Sequence, residues 1–281
     1  SMYDLINKED IKKKDSFEDY IKFKYGDNLY NIFFKPYTEK FLRIPASEIH
    51  ADWAMTGINR TVIDKKIKAD NTWDIIKSLA LPQKIDTKFL YPGEGGFGGF
   101  FDKLFSLNFD NKNFNIVFNS KIIKLIKSDD KFHLTCADGK QYSFKHLIWT
   151  GNLNDLVKLI DQNHKTNLNY INTIFYNFIC KSKVVKNNKA QWIYISDGKK
   201  LISRITCMKE FSTTTTPQGY YNFIAEVTDS QSNPTYFNDP QGIKDKIINE
   251  LKEIKFINNG DIDDIKVNSI KDTYPVYHKE Y

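Results

Sequence analysis

Tyr91-Pro92-Gly93-Glu94-Gly95-Gly96-Phe97-Gly98-Gly99 is the densest grouping of residues in this chain that could serve chemistry through the backbone. Glycine admits positive φ and lets a ligand approach the main chain with no Cβ in the way. The run leads into Phe100, Leu104 and Phe105 at helical spacing. The free N–H groups that open such a helix attract anions, so Gly95, Gly96, Gly98 and Gly99 are candidate ligand-loop residues. Their order, G-E-G-G-F-G-G, is not the G-x-G-x-x-G of a dinucleotide fold, and no βαβ start precedes it. A tight loop joining two lobes explains the run equally well.

The second candidates are arginines. The chain carries 41 Lys and Arg, yet only Arg43, Arg60 and Arg204 are arginine. A sequence so rich in lysine, asparagine and isoleucine keeps arginine where a planar fork of donors is needed, for phosphate, carboxylate or a structural ion pair. Other chemistries find little support. His50, His133, His146, His164 and His278 are scattered without ligand spacing. Cys136, Cys180 and Cys207 form no CxxC pair, and Cys136 and Cys207 sit in strand-like apolar alternation. They read as buried, reduced thiols, which points to a reducing, cytoplasmic compartment. No serine or cysteine lies in a nucleophile elbow.

The elements that must position these residues are a helical first third and a strand-rich remainder. Ser16 and Asp19 form a capping arrangement ahead of Phe17, Tyr20 and Ile21. Leu29, Ile32 and Phe33 continue the helical spacing until Pro36 interrupts it. Short helices are expected over Glu48–Trp53 and, capped by Asn71 or Thr72, around Ile75, Ile76 and Leu79. Strands are expected at Phe114–Phe118, Ile122–Ile126, Phe132–Cys136 and His146–Thr150, with a hairpin turn at Asp138-Gly139. Further strands are expected over about 170–185, 191–196, 201–208, 219–228 and 264–277, with a second turn at Asp197-Gly198. An amphipathic helix carries Ile243, Ile247, Ile248, Leu251 and Ile254. The fold class is mixed α/β of the α+β kind, with long antiparallel pairing in the second half.

Composition bounds the function. The chain has 281 residues, 41% hydrophobic and 15% aromatic, enough for one large domain or two joined ones. The net charge of +6 is spread among interleaved acids and bases, which argues against nucleic-acid binding. No apolar run approaches a membrane span. Ser1-Met2 reads as a tag remnant, so a subcloned piece is expected.

Several phrases in order resemble the flavin-containing amine oxidase and protoporphyrinogen oxidase-like superfamily, and within it the UDP-galactopyranose mutase-like branch. They are Ser16–Ile21, Ile32–Lys40, Ile44–Ile49, Ala51-Asp52-Trp53, the glycine run, the strands ending at Asp138-Gly139, Tyr194, Arg204 and Tyr274-Pro275-Val276-Tyr277. The resemblance covers nearly the whole chain. It implies an incomplete, interleaved FAD-linked fold, with residues 1–92 the helical part of the substrate domain. Residues 93–152 would be the glycine loop and β-unit of the flavin domain, and 153–281 the antiparallel sheet and helix of the substrate domain. It implies FAD in the complete protein, with Ile122 near the adenine, and chemistry carried by the flavin as hydride acceptor or as nucleophile. The N- and C-terminal FAD motifs are not in this sequence, so retention of FAD by this chain alone is not expected. The resemblance further implies a small-molecule substrate such as a nucleotide sugar, bound by Arg204, Tyr194, Tyr274 and the nearby Arg60. Departures are Thr38 and Leu42 near the expected uridine site, Gly57 in place of an arginine, and Phe211 in place of a tyrosine; they argue against strict mutase activity. Two other readings stay open: a non-catalytic nucleotide-sugar-binding module, and an inert fragment that self-associates into a homo-oligomer.

Overall fold

The computed structural model describes residues 15–57 and 90–280, apart from 94, 110, 162, 165, 167, 187, 188 and 261. The helix expected around Ile75, Ile76 and Leu79 lies outside the described residues. The chain divides into two units. One runs to Phe97 and resumes at Asn169; the other is Gly98–Leu168.

In the first unit, helix α1 spans Phe17–Leu29. Ser16 caps it as expected, its hydroxyl accepting from the Asp19 amide at 3.1 Å. Gly26 breaks the helical path at φ +83°, a conformation that a Cβ disfavours. A π-helical turn, Tyr30–Phe34, hands over to α2, Lys35–Leu42. Pro36 therefore opens a helix, where its missing N–H costs nothing. Arg43 ends α2 in the left-handed region at φ +61°. Its Nε donates to the Thr228 carbonyl at 2.9 Å and its guanidinium lies over the Tyr236 ring. Arg43 is thus a backbone clip. In place of one helix over Glu48–Trp53 there is a 3₁₀ turn at Ala46–Glu48 and then α3, Asp52–Gly57.

The sheet of this unit has five antiparallel strands in the order β5-β6-β7-β4-β8: β4, Asn169–Lys181; β5, Trp192–Tyr194; β6, Ile202–Thr206; β7, Tyr220–Ser230; and β8, Ile262–Val276. All five answer to expected strands. Pro275 sits in β8, an edge strand, where a missing ladder donor is tolerated. One face of the sheet is sealed. Ile174, Tyr176, Phe178, Phe223 and Ile205 pack there against Ile247 and Leu251 of a helix at Lys244–Glu253. Phe178 and Phe223 stack at 4.7 Å. Each such side chain contributes about 1.5–3 kcal/mol when fully buried. The other face is covered by α1–α3 near Ile171 and Val276, and α2 reaches across to β7, where the Thr228 hydroxyl donates to the Lys40 carbonyl. Toward the far end of β4, even-numbered residues from Ile174 to Cys180 are buried, while Phe175, Asn177 and Ile179 open step by step to solvent. Among the described residues, nothing is packed over the far end of that face, where Ile179 is exposed.

In the second unit, α4 spans Gly96–Asn108 and begins on the last residues of the first. It is followed by a three-stranded antiparallel meander: β1, Ile122–Ser128; β2, Lys131–Cys136; β3, Gln141–Phe144. Asp129 and Asp130, both at positive φ, make the two-residue β1–β2 turn. The Asp138-Gly139 turn is as expected, with Gly139 at φ +84°. Helix α5, Leu153–Ile160, is capped by Asn152. Two expectations fail. Phe114–Phe118 and His146–Thr150 have strand composition but join no sheet among the described residues, because β-propensity alone does not supply a partner. The helix Lys244–Glu253, named α6, completes the set.

Three cysteines are free and buried, as expected. No described helix is long and apolar enough to cross a membrane, and no group of three His, Cys, Asp or Glu among the described residues could hold a metal.

Candidate functional site

The polar side chains lie where the helix-covered part of this face gives way to the exposed part. Register sets Tyr194 opposite Arg204, Arg204 opposite Glu226, Glu226 opposite Phe175 and Phe175 opposite Asn268. One row thus crosses all five strands. In this row the Arg204 Nε donates to Glu226 Oε1 at 2.9 Å and Nη2 to Oε2 at 2.8 Å. The Thr206 hydroxyl donates to Oε1 at 2.9 Å. Glu226 is 4% exposed, whereas the Arg204 side chain keeps 27% of its surface. The carboxylate lies beneath and the guanidinium above. Burial works against the guanidinium charge. The hydrogen bond and charge of Glu226 outweigh it, with Tyr194 and Tyr274 adding, and the pKa of Arg204 is raised.

Helix α2 stands over this row. Tyr37 meets Tyr194 edge-on at 5.7 Å, and Phe41 meets Tyr274 at 5.4 Å. Phe41 also stacks near Trp53 at 6.0 Å. Burial, followed by Tyr194, Glu226 and Tyr274 against the opposing Arg204, raises the pKa of the Tyr37 phenol. Tyr194 and Tyr274 remain 48% and 38% exposed, and Tyr194 hydrogen-bonds the Arg204 side chain.

Two buried charges hold the β5–β6 turn that carries this row. Lys40, one helical turn beyond Tyr37, donates its ammonium to the carbonyls of Ile195, Asp197 and Ile202, the last two at 2.9 and 2.8 Å. From the sealed side, the Glu250 carboxylate accepts from the amides of Leu201 at 2.9 Å and Ile202 at 3.1 Å. Burial lowers the Lys40 pKa to about 8, with Arg43 adding and Glu250 and Asp197 opposing. At the other end of the row, β8 bulges. Ile270 pairs with Thr173 and Tyr274 with Ile171, so Lys271–Thr273 face Asn172 alone. The buried Asn172 accepts from the Asp272 amide at 3.1 Å, and this bulge places Tyr274 over the helix-covered end of the sheet.

Arg204, Tyr194 and Tyr274 are thus brought together. Arg60 lies outside the described residues. Gly95 and Gly96 have φ of +68° and +58°, the turn that feeds α4, while Gly98 and Gly99 lie in its first helical turns. A Cβ added at Gly98 would meet nothing within 4 Å. Ile122 opens β1 in the second unit. Within the first unit the Gly93 carbonyl accepts from Ser212 at 3.3 Å and from Thr214. Phe211 packs between Tyr91 and Trp192 at 5.2 and 4.8 Å. Thr38 and Leu42 are buried in the helical core. Tyr37, Thr206, Glu226 and Lys40 were not picked out from sequence. The signal was present for two of them: Glu226 interrupts the apolar run Phe223–Val227, and Lys40 interrupts the buried face of α2.

No family model matches the sequence, and no curated protein is similar to it. Solved structures share the fold. Reduced UDP-galactopyranose mutase superposes with a TM-score of 0.70 at 18% identity, over 94% of this chain and 57% of that one. A candidate protoporphyrinogen oxidase from Exiguobacterium sp. 255-15 gives 0.67 at 12%, over 98% and 59%. An oxidoreductase from Methanosarcina mazei gives 0.57 at 13%, over 96% and 61%. The chain spans less than two thirds of the length of each. It has the mixed helix and antiparallel-sheet fold of the corresponding part of these proteins.

Proposed function

We propose that this chain carries the substrate-handling sheet of a flavin-dependent oxidoreductase- or mutase-like protein, and that Tyr194, Arg204, Tyr274 and Tyr37 hold a small polar substrate such as a nucleotide sugar. The observation that carries this is the row Tyr194–Arg204–Glu226 on the sheet face beside α2. The shared fold with a mutase and with oxidoreductases supports it. These residues bind and orient. Tyr37 and Arg204 have pKa values raised away from neutrality, so neither exchanges a proton readily near pH 7.

The described residues do not by themselves fit FAD. The described residues leading into α4, 90–93 and 95, form no strand, and the space about Gly98 is open. A strand–turn–helix cradle for the pyrophosphate is not formed there among the described residues. That same observation favours a second reading, a nucleotide-sugar-binding module without turnover. Flavin absorbance of the purified protein separates the two.

The test of ligand binding is calorimetric titration with UDP-galactose. Binding is expected. Tyr194→Ala and Tyr274→Ala should each weaken it about tenfold, the loss of roughly one hydrogen bond and its aromatic contact. Lys200→Arg should leave it unchanged, because Lys200 is engaged with Glu253. Absence of binding to the unaltered chain defeats the reading.

A further inference from the structure

Resting on that reading of the site, we infer that Glu226 is its specificity-determining residue, offsetting the charge of Arg204 so that the site favours a doubly charged diphosphate over a neutral polar ligand far less than an unpaired arginine would. Scarce arginines suit bidentate recognition of phosphate. In this site the two donors of one edge, Nε and Nη2, are already spent on Glu226. What Arg204 presents outward is its other edge, next to Tyr194. The two charged groups that bear on the Tyr37 phenol at the centre are Arg204 and Glu226, one of each sign. Three hydrogen bonds, counting that from Thr206, converge on the carboxylate.

A phosphate oxygen at the free edge of Arg204 would lie a few ångströms farther from Glu226 than from the guanidinium. By Coulomb's law the carboxylate then cancels roughly half of the attraction, the same fraction for a singly and a doubly charged ligand. A sugar hydroxyl or an amide pays no such penalty. It gains hydrogen bonds from the guanidinium edge and from Tyr194 and Tyr274, on aromatic walls suited to the apolar face of a ring.

The experiment compares UDP with uridine by calorimetry on four proteins: unaltered, Glu226→Gln, Arg204→Met, and Arg204→Met/Glu226→Gln. The glutamine is nearly isosteric and keeps an acceptor for Arg204. Unaltered protein should bind UDP no more than about tenfold tighter than uridine. Glu226→Gln should raise UDP affinity at least about tenfold, with a steeper salt dependence, and leave uridine within about threefold. A merely structural role would weaken both ligands. If Glu226→Gln does not fold, the ratio still decides. It should fall about tenfold in Arg204→Met, which leaves an unpaired anion, and return to the unaltered value in the double variant. The inference is overturned if UDP binds Glu226→Gln no better than the unaltered chain, or if the ratio is the same in Arg204→Met as in the unaltered chain. Failure of the unaltered chain to bind either ligand, with UDP gained by Glu226→Gln, defeats the nucleotide-sugar reading and leaves this inference standing.

Discussion

Replacing Lys40 by methionine should destabilise the protein more at pH 10 than at pH 7. The ammonium is 7% exposed and serves three carbonyls. Its pKa falls from 10.5 to about 8 on folding. Lysine is charged when protonated, so a lowered folded pKa means that the unfolded chain binds more protons between the two values. Stability therefore climbs as pH rises from about 8 to about 10.5 and is flat below 8. A shift of about 2.5 units corresponds to roughly 3 kcal/mol. At neutral pH the variant leaves three carbonyls unserved, at about 1–3 kcal/mol each if they stay dry, but it also removes a buried cation. These effects oppose, and the pH-independent part of the loss should be modest. Between pH 8 and 10.5 the unaltered protein gains stability that methionine has no proton to supply. The groups facing Lys40 are Glu250 on α6, Asp197 in the turn and Arg43 on α2; all three are retained, so their titration cancels in the difference. Urea denaturation followed by circular dichroism at half-unit pH steps measures it. The gap between the two proteins should widen by about 3 kcal/mol across that window. A constant gap, or one that narrows with pH, refutes the reasoning and would mean that the three carbonyls outweigh burial in setting the amine's proton affinity.

Breaking the Arg204–Glu226 pair from the carboxylate side with Glu226→Ala should cost about 3–5 kcal/mol in denaturant melts. Much of that should be recovered in Arg204→Met/Glu226→Leu; additive losses would show that the pair is not coupled. Cys136, Cys180 and Cys207 should resist a thiol reagent at pH 8 until the protein is unfolded, since all three are buried and burial pushes the Cys180 and Cys207 thiols up to about 11. Asn172→Leu should loosen the β8 bulge and cost about 1–3 kcal/mol by orphaning the Asp272 amide. Amide exchange should quicken at Asp272–Tyr274 while β7 is unaffected. Ser16→Ala should cost about 1 kcal/mol through loss of the α1 cap, readable as a lower melting temperature.

Much of the strand framework was legible because it rests on local signals. The Ser16 cap, the Asp138-Gly139 turn and the alternation along β4 and β7 are short-range patterns. Phe114–Phe118 shows the limit: its composition suits a strand, but pairing is decided by what lies alongside. Part of the site was legible too. Arginine scarcity pointed to Arg204, and the family resemblance pointed to Tyr194 and Tyr274. What could not be read was that Arg204 already has a carboxylate. Glu226 lies 22 residues farther along and becomes its neighbour only through the β6–β7 register. Tyr37 was hidden for the same reason, since a helix separated from β5 by four strands in sequence is brought over the row by tertiary packing alone. Arg43 shows that scarcity is an ambiguous sign, because its donors are spent on the Thr228 carbonyl of the neighbouring strand.

The sheet has one sealed face and one half-open face, and this separates what the molecule must preserve from what it is at liberty to alter. Exchanges at Phe178 or Ile205 disturb a close-packed interior and are purged for that reason alone. Exchanges at Asn177, Ile179, Asn268 or Tyr194 alter only the outward side of the same strands. A lineage could therefore repaint its ligand preference many times over while the hidden side, and with it the architecture, passed unchanged from one chemistry to the next.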